Sequence, residues 1–155
     1  KSLIELLQLF DDSLIGVEVG IRYGKPTILV EMKGRGLMPV SVFGDGLKKV
    51  LTLANAVSKA EHGILLIDEF ETSIHTSAMN KIFSWILSTA VKLNIQLFIT
   101  SHSKEAIDKV LKCDPTLQDK MNLYTLYKKD DSTLTRKLSC YEAIEAMDDY
   151  DIEVR

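Results

Sequence analysis

Residues 64–69 read ILLIDE, an unbroken apolar run that ends in two acidic residues. A short run that is apolar at every position is typical of a parallel strand covered on both faces. A second run of this kind spans Ile95–Thr100 and leads towards His102. Between the two runs, apolar residues recur at helical spacing over Thr76–Leu93, which predicts a helix. This strand–helix–strand order predicts an α/β fold with a parallel-sheet core and a right-handed crossover.

Before this core, the pattern of apolar residues changes to a period of two, with glycines at the turns. The pattern predicts a small N-terminal antiparallel meander, with Gly24-Lys25-Pro26 as its first turn. We expect its strands at Ile15–Tyr23, Thr27–Lys33 and Leu37–Val40.

Two serine–glutamate pairs have the spacing of a helix capping box, in which each side chain satisfies a backbone N–H of the other residue. Ser2 and Glu5 predict a short opening helix, and Ser139 and Glu142 predict a final helix. A long helix is also expected from about Phe43 to the glycine that precedes the ILLIDE run. Before the final helix we expect a C-terminal hairpin, with strands at Met121–Tyr127 and Thr133–Leu138.

The composition excludes several classes of protein. The 155 residues are 46% hydrophobic and 26% charged, which argues against disorder. The formal charge of -3 gives no overall basic field for nucleic acid. Two cysteines without a CxxC spacing argue against zinc and disulfide frameworks and fit a reducing, cytoplasmic location. The apolar runs are too short to span a bilayer, so we expect no membrane partner, and we expect a single domain over residues 1–155.

Polar residues follow both predicted strands of the core. In an open α/β sheet, ligands bind beyond the carboxyl ends of the strands, so Asp68, Glu69 and His102 are expected at one edge. Asp68 would hold Mg²⁺, a hard cation that takes one or two carboxylates together with phosphate oxygens. Glu69 would orient or deprotonate an attacking water, and His102 would hydrogen-bond the transferred phosphoryl group. The alternative is that Asp68 caps a turn and Glu69 is merely solvated.

A glycine-rich segment begins the first long helix. Gly44 and Gly46 would let the backbone approach a ligand, and the helix N-terminus with Lys48 would attract an anion. Taken alone, a Gly-x-Gly pattern is weak and equally describes a turn before a helix.

Four motifs in this order resemble the C-terminal half of an ABC-type ATPase head, in the bacterial AAA-type ATP/GTP phosphatase and overcoming-lysogenization-defect branch. The similarity extends from Val40 to about Val110. Phe43–Leu47 is similar to the signature motif, and Ile64–Glu69 is similar to Walker B with its catalytic glutamate. Glu71–His75 is similar to the D-loop, and Ile99–His102 is similar to the switch-histidine strand.

The resemblance implies a P-loop NTPase fold and ATP hydrolysis with Mg²⁺ by a head-to-tail homodimer. It implies that relatives act on DNA or beside nucleases, so a DNA or nuclease partner is conceivable for the intact protein. By the same resemblance, the residues would divide into a catalytic pair, a metal ligand and nucleotide contacts. The catalytic pair would be Glu69 and His102, and the metal ligand would be Asp68. The nucleotide contacts would come from Gly44, Asp45, Gly46, Lys48 and His75.

One motif of such ATPases is absent: the sequence contains no Gly-x-x-x-x-Gly-Lys-Ser/Thr phosphate loop. The segment Gly20–Pro26 has one residue too few between its glycines and a proline in place of the hydroxyl residue. Because the chain also begins at Lys1, we expect a fragment that lacks the N-terminal lobe and is inactive alone. Two alternatives stay open: a non-catalytic association or regulatory module that keeps the ATPase fold, and a metal-dependent phosphoesterase or phosphoacceptor centred on Asp68.

Overall fold

A computed structural model describes residues 3–72 and 74–149. It contains five α-helices and seven strands, joined by turns and two short 3₁₀ segments. The helices are α1 (Leu3–Leu7), α2 (Gly44–Lys59), α3 (Thr76–Lys92), α4 (Lys104–Lys112) and α5 (Cys140–Asp149). The strands are β1 (Leu14–Arg22), β2 (Lys25–Met32), β3 (Gly36–Pro39), β4 (Ile64–Ile67), β5 (Gln96–Ile99), β6 (Asn122–Lys129) and β7 (Ser132–Ser139).

Strands β4 and β5 are parallel neighbours joined through α3, which confirms the predicted α/β core. Their register pairs Ile64 with Gln96 and Ile67 with Ile99, so the two strands end side by side. The carboxyl ends of both strands therefore lie at the same edge of the sheet.

The expectation that both faces of this sheet are covered is wrong for the described residues. Ile64 is 63% exposed, Leu66 is 73% exposed and Phe98 is 48% exposed. The opposite face, which carries Leu65 and Leu97, packs into the main apolar cluster with residues of α2 and α3. A run of mostly apolar residues does not distinguish a strand face that other parts of a protein cover from a face that is left open.

The N-terminal meander is confirmed, with the strand order β1-β2-β3 and antiparallel pairing throughout. Its first turn is at Tyr23–Gly24, one residue earlier than predicted, and Lys25 and Pro26 already belong to β2. Both turn residues have positive φ angles, 50° and 74°, which suits the right-handed twist of a two-residue hairpin.

The C-terminal hairpin β6–β7 and the capping box of α5 are also confirmed. The Glu142 amide donates to the Ser139 hydroxyl at 3.3 Å, and the Ser139 amide donates to the Glu142 carboxylate at 2.8 Å. The other predicted box begins at Ser2, which lies outside the described residues, although the short helix α1 follows where expected. No helix in the described part of the chain has the length and apolar character needed to cross a membrane.

The core lies between the closed face of β4–β5 and helices α2 and α3. Phe83 of α3 is fully buried and meets the ring of Phe70 edge to face, with centroids 4.4 Å apart. Phe70 follows directly after Asp68 and Glu69, so this aromatic pair anchors the loop that leaves β4. Packing of the core thereby holds the polar edge in place.

Truncating the buried ring should destabilise the protein far more than truncating an exposed side chain of the same helix. Phe83→Ala is expected to lower the free energy of unfolding by about 3–5 kcal/mol, because it removes a buried ring and leaves a cavity. The matched change Val91→Ala, at a side chain that is 43% exposed, should stay within about 0.5 kcal/mol. Urea denaturation measures both, and equal losses would show that the ring does not lie in the core.

Candidate active site

The candidate site lies at the carboxyl ends of β4 and β5. Asp68 and Glu69 follow β4, and His102 lies three residues beyond the end of β5. The Nε2 atom of His102 is 3.9 Å from Oε1 of Glu69. The two side chains are 86% and 57% exposed, so a ligand can reach both. The structure thus brings Glu69 and His102 together, with Asp68 directly before Glu69 at the end of β4.

Thr100 connects the ends of the two strands through its hydroxyl group. It directly follows β5, as Asp68 directly follows β4, and its Oγ1 donates a hydrogen bond to Oδ1 of Asp68. Thr100 Oγ1 also accepts a hydrogen bond from the backbone N–H of Glu69 at 3.1 Å. A single hydroxyl therefore contacts both acidic residues.

Glu69 has a backbone conformation that is uncommon for a residue with a side chain. Its φ angle is 44°, in the left-handed region that sterically favours glycine. The next residue, Phe70, is buried, and its backbone N–H donates to the Thr100 carbonyl at 3.4 Å. The chain turns sharply after Asp68, which leaves the carboxylate of Glu69 beside His102.

Glu71 joins the loop after β4 to the loop after β5. Its Oε1 accepts a hydrogen bond from the backbone N–H of His102 at 3.2 Å. Its Oε2 is buried and has no hydrogen-bond partner among the residues that the structure describes. A buried carboxylate oxygen in this state is costly, so the loop arrangement has capacity for one more donor or cation.

His75 lies at the start of α3 and serves there as a helix cap. Its Nδ1 accepts from the backbone N–H of Ser77 at 3.3 Å and lies 2.8 Å from the Ser77 hydroxyl. The His75 side chain is exposed. The cap satisfies one of the free N–H groups of the first helical turn.

The glycine-rich segment forms the N-terminus of α2, as predicted. Gly44 has a φ angle of 77°, and an added Cβ there would meet nothing within 4 Å, so the conformation and not a lack of space requires glycine. Lys48 Nζ lies 2.8 Å from Oδ1 of Asp45, and this hydrogen bond holds the pKa of Asp45 below its ordinary value. Both side chains are exposed, and Gly46 follows Asp45 in the same first turn of the helix.

The described structure shows no polar contact between this segment and the polar edge. Within residues 3–72 and 74–149, no hydrogen bond or ion pair joins the start of α2 to Asp68, Glu69 or His102. The predicted site residues therefore fall into two groups, one at the sheet edge and one at the start of α2.

The edge carries carboxylate oxygens, which are the kind of ligand that Mg²⁺ prefers. No cluster of three or more His, Cys, Asp or Glu side chains able to hold a metal occurs in the described part of the chain. Asp68 nevertheless has a second carboxylate oxygen besides the one bonded to Thr100, and Glu71 has a buried oxygen without a partner. Mg²⁺ commonly binds through one or two carboxylates and completes its shell with water and phosphate oxygens.

Sequence reasoning did not identify Thr100 or Glu71 as members of the site. A usable signal for Thr100 was available: both apolar runs end one residue before it and before Asp68, so parallel pairing in register places them opposite each other. No comparable signal existed for Glu71, whose contact depends on the path of two loops.

Comparisons with known proteins agree with this fold. The chain is 36% identical over 74 residues to an ATP/GTP phosphatase of Helicobacter pylori, and the match covers 46% of this chain and 20% of that protein. It is 42% identical over 69 residues to the uncharacterized protein MJECL11 of Methanocaldococcus jannaschii, covering 44% of this chain and 60% of that protein. The matched part of the chain thus spans about a fifth of the length of the first relative and about three fifths of the length of the second.

Solved structures with the same fold are heads of SMC ATPases. One, from a study of ATP-driven dimerization and DNA-stimulated activation of SMC ATPases, has a TM-score of 0.63 at 12% identity and covers 95% of this chain and 87% of that chain. An SmcHead bound to the C-winged helix domain of ScpA has a TM-score of 0.63 at 12% identity, covering 92% of this chain and 43% of that chain. At such identities the likeness concerns the fold alone.

A family model covers most of the chain, including every segment that forms the polar edge. The model is described as "AAA domain, putative AbiEii toxin, Type IV TA system" and matches residues 1–108. The chain belongs to this AAA-domain family, and it has an ATPase-type α/β fold of the kind seen in SMC heads.

Proposed function

We propose that this chain provides part of an ATP-hydrolysing site, at the edge formed by the ends of β4 and β5. The observation that carries the proposal is the placement of Asp68, Glu69 and His102 at that edge, with Glu69 and His102 3.9 Å apart and open to a ligand. Membership in the AAA-domain family and the relative named as an ATP/GTP phosphatase support the choice of a nucleoside triphosphate.

Asp68 would hold Mg²⁺ through its free carboxylate oxygen, directly or through water. When bound, the cation neutralises charge on the phosphate oxygens. The hydrogen bond from Thr100 occupies the other oxygen of Asp68, so the carboxylate presents one defined oxygen to the cation. Gly44, Asp45, Gly46, Lys48 and His75 would contribute nucleotide contacts from the separate start of α2 and from the loop before α3.

Glu69 would accept a proton from the attacking water. As the water oxygen bonds to the γ-phosphorus, the bond to the bridging oxygen breaks and leaves ADP and inorganic phosphate. His102 lies beside Glu69 and would donate a hydrogen bond to the γ-phosphate, where charge is spread over the equatorial oxygens. Both side chains are exposed enough to meet a phosphate without moving out of a core.

The open face of β4–β5 supports a proposal about the rest of the site. Ile64, Leu66 and Phe98 leave an apolar surface next to Asp68, and the sequence contains no phosphate loop. We place that loop on another segment, an N-terminal lobe that covers this face in the intact protein. The chain would then form the C-terminal lobe of an ATPase head.

The lack of a hydrogen bond or ion pair between the two groups of described site residues supports a head-to-tail pair. Among residues 3–72 and 74–149, the start of α2 makes no hydrogen bond or ion pair with the polar edge, so it would meet the nucleotide held by a second copy. One of the structurally similar SMC heads comes from work on the ATP-driven dimerization of those ATPases. A DNA partner, or an associated nuclease, remains part of the proposal for the intact protein only.

Glu69→Gln should abolish turnover but not nucleotide binding in the natural protein that carries this chain. The amide cannot accept the proton from water, so kcat should fall by about 100-fold or more, while the Kd for ATP changes less than about threefold. Steady-state phosphate release and calorimetry measure the two quantities.

Glu61→Gln is a matched control, since Glu61 is also an exposed glutamate 3.9 Å from a histidine, His62, but lies before β4. Its kcat should stay at the wild-type value. Wild-type turnover in Glu69→Gln would remove the role assigned to Glu69.

A non-catalytic association or regulatory module is the second candidate, and the missing phosphate loop favours it for the chain by itself. We expect calorimetry of the 155-residue chain with Mg-ATP to show no binding, or a Kd above about 1 mM. The reason is that backbone N–H groups of a phosphate loop supply most of the cradle for the triphosphate. Micromolar binding would contradict the proposed missing lobe.

A further inference from the structure

The geometry points to Thr100 as a positioning residue that fixes both Asp68 and Glu69 for catalysis. The inference rests on the proposed function, because it concerns the same two acids. Thr100 Oγ1 donates a hydrogen bond to Asp68 Oδ1 and accepts a hydrogen bond from the backbone N–H of Glu69 at 3.1 Å. The hydroxyl would act through these two residues and would not touch the nucleotide itself.

Only a hydroxyl group satisfies this arrangement. One partner requires a donor and the other requires an acceptor, and a hydroxyl offers both on one atom. Valine has nearly the same shape but would leave the Glu69 amide and one oxygen of Asp68 without their partner. Serine keeps the hydroxyl and loses one methyl group.

The backbone contacts of Thr100 do not depend on its side chain. Its N–H donates to the Ile67 carbonyl at 2.9 Å, and its carbonyl accepts from the Phe70 N–H. Thr100 is also exposed, so replacing its side chain leaves no cavity in the core. We therefore expect substituted proteins to keep the fold of β4–β5.

The bond to Glu69 matters because of the conformation that this residue adopts. A φ angle of 44° is disfavoured for glutamate, so the loop needs contacts that hold it there. The hydroxyl of Thr100 holds the amide on one side of Glu69, and buried Phe70 holds the other side. Without the hydroxyl, the Glu69 carboxylate would sample orientations away from His102.

The bond to Asp68 has a separate consequence for the metal. A hydrogen bond to one oxygen fixes the plane of the carboxylate and leaves the second oxygen for Mg²⁺. Groups that orient metal ligands in this way typically change metal affinity or activity by about 10- to 100-fold when they are removed. Thr100 should therefore affect the Mg²⁺ dependence of the reaction more than the binding of ATP.

The test compares Thr100→Val with Thr100→Ser in the natural protein that carries this chain. Thr100→Val should lower kcat by about 10- to 100-fold and raise the Mg²⁺ concentration for half-maximal activity about tenfold. The KM for ATP should change by less than about threefold, since uniform binding is retained. Thr100→Ser should recover most of the lost kcat, and Thr135→Val, an exposed strand threonine on β7, should match the wild type.

A second readout does not involve activity. Amide hydrogen exchange of Glu69, followed by NMR in the full 155-residue chain, should accelerate about tenfold or more in Thr100→Val, because the N–H loses its acceptor. Thr100→Ser should keep the slow exchange. If Thr100→Val does not fold, Thr100→Ala also lacks the hydroxyl and is carried through the same measurements.

The outcomes separate this inference from the proposed function. Suppose that Glu69→Gln is inactive but Thr100→Val keeps its kcat, its Mg²⁺ dependence and its slow Glu69 exchange. This result would overturn the role of Thr100 and leave the ATPase proposal standing. A lack of Mg²⁺-dependent ATP turnover in the unsubstituted natural protein would overturn the ATPase proposal, whereas wild-type turnover in Glu69→Gln would remove only the role assigned to Glu69. Faster exchange with an unchanged kcat would make the hydroxyl a structural element only, which also overturns its positioning role.

Discussion

The in-register parallel pairing of β4 with β5 is the constraint on which the rest of the site depends. Because Ile67 pairs with Ile99, the two strands end together. The polar residues Asp68 and Thr100, which follow them, are therefore side by side. Parallel strands place their carboxyl ends at a common edge, so residues 31 or more positions apart in sequence become neighbours there. A shift of one residue would separate Thr100 from Asp68 and turn every side chain of that strand to the other face.

The packing below the sheet and the chemistry above it are linked through one short loop. Phe70 is anchored against Phe83 in the core, while the two residues before it carry the acidic groups. The left-handed conformation of Glu69 is the geometric cost of turning the chain within so few residues. Rigid packing on one side of this loop thereby determines where the exposed carboxylate lies on the other side.

Much of this fold could be predicted from the sequence because each element carries a local signal. The apolar runs of β4 and β5, the helical spacing of α3 and the capping box at Ser139 each concern residues close together in the chain. The open face of β4–β5 could not be predicted, because apolar residues at Leu66 and Phe98 look the same whether or not other chain covers them. Glu71 was missed for a related reason, since its bond to the His102 amide depends on two loops that no local pattern describes.

The separation of the two groups of site residues bears on how such a protein would work. The start of α2 has no side-chain cap, an exposed Lys48 paired with Asp45, and open space beside Gly44. The polar edge has acids and an imidazole but no built-in phosphate cradle. Under the proposed function, these would be complementary halves of one triphosphate site, supplied by two copies of the chain.

The most direct test is a crystal structure of the natural protein with Mg²⁺ and a non-hydrolysable ATP analogue. The account predicts that the γ-phosphate lies at the carboxyl ends of β4 and β5, with Mg²⁺ on the Asp68 side and with Glu69 and His102 facing the terminal phosphate. A bound analogue whose triphosphate lies away from this edge, with Asp68, Glu69 and His102 still in solvent, would contradict it.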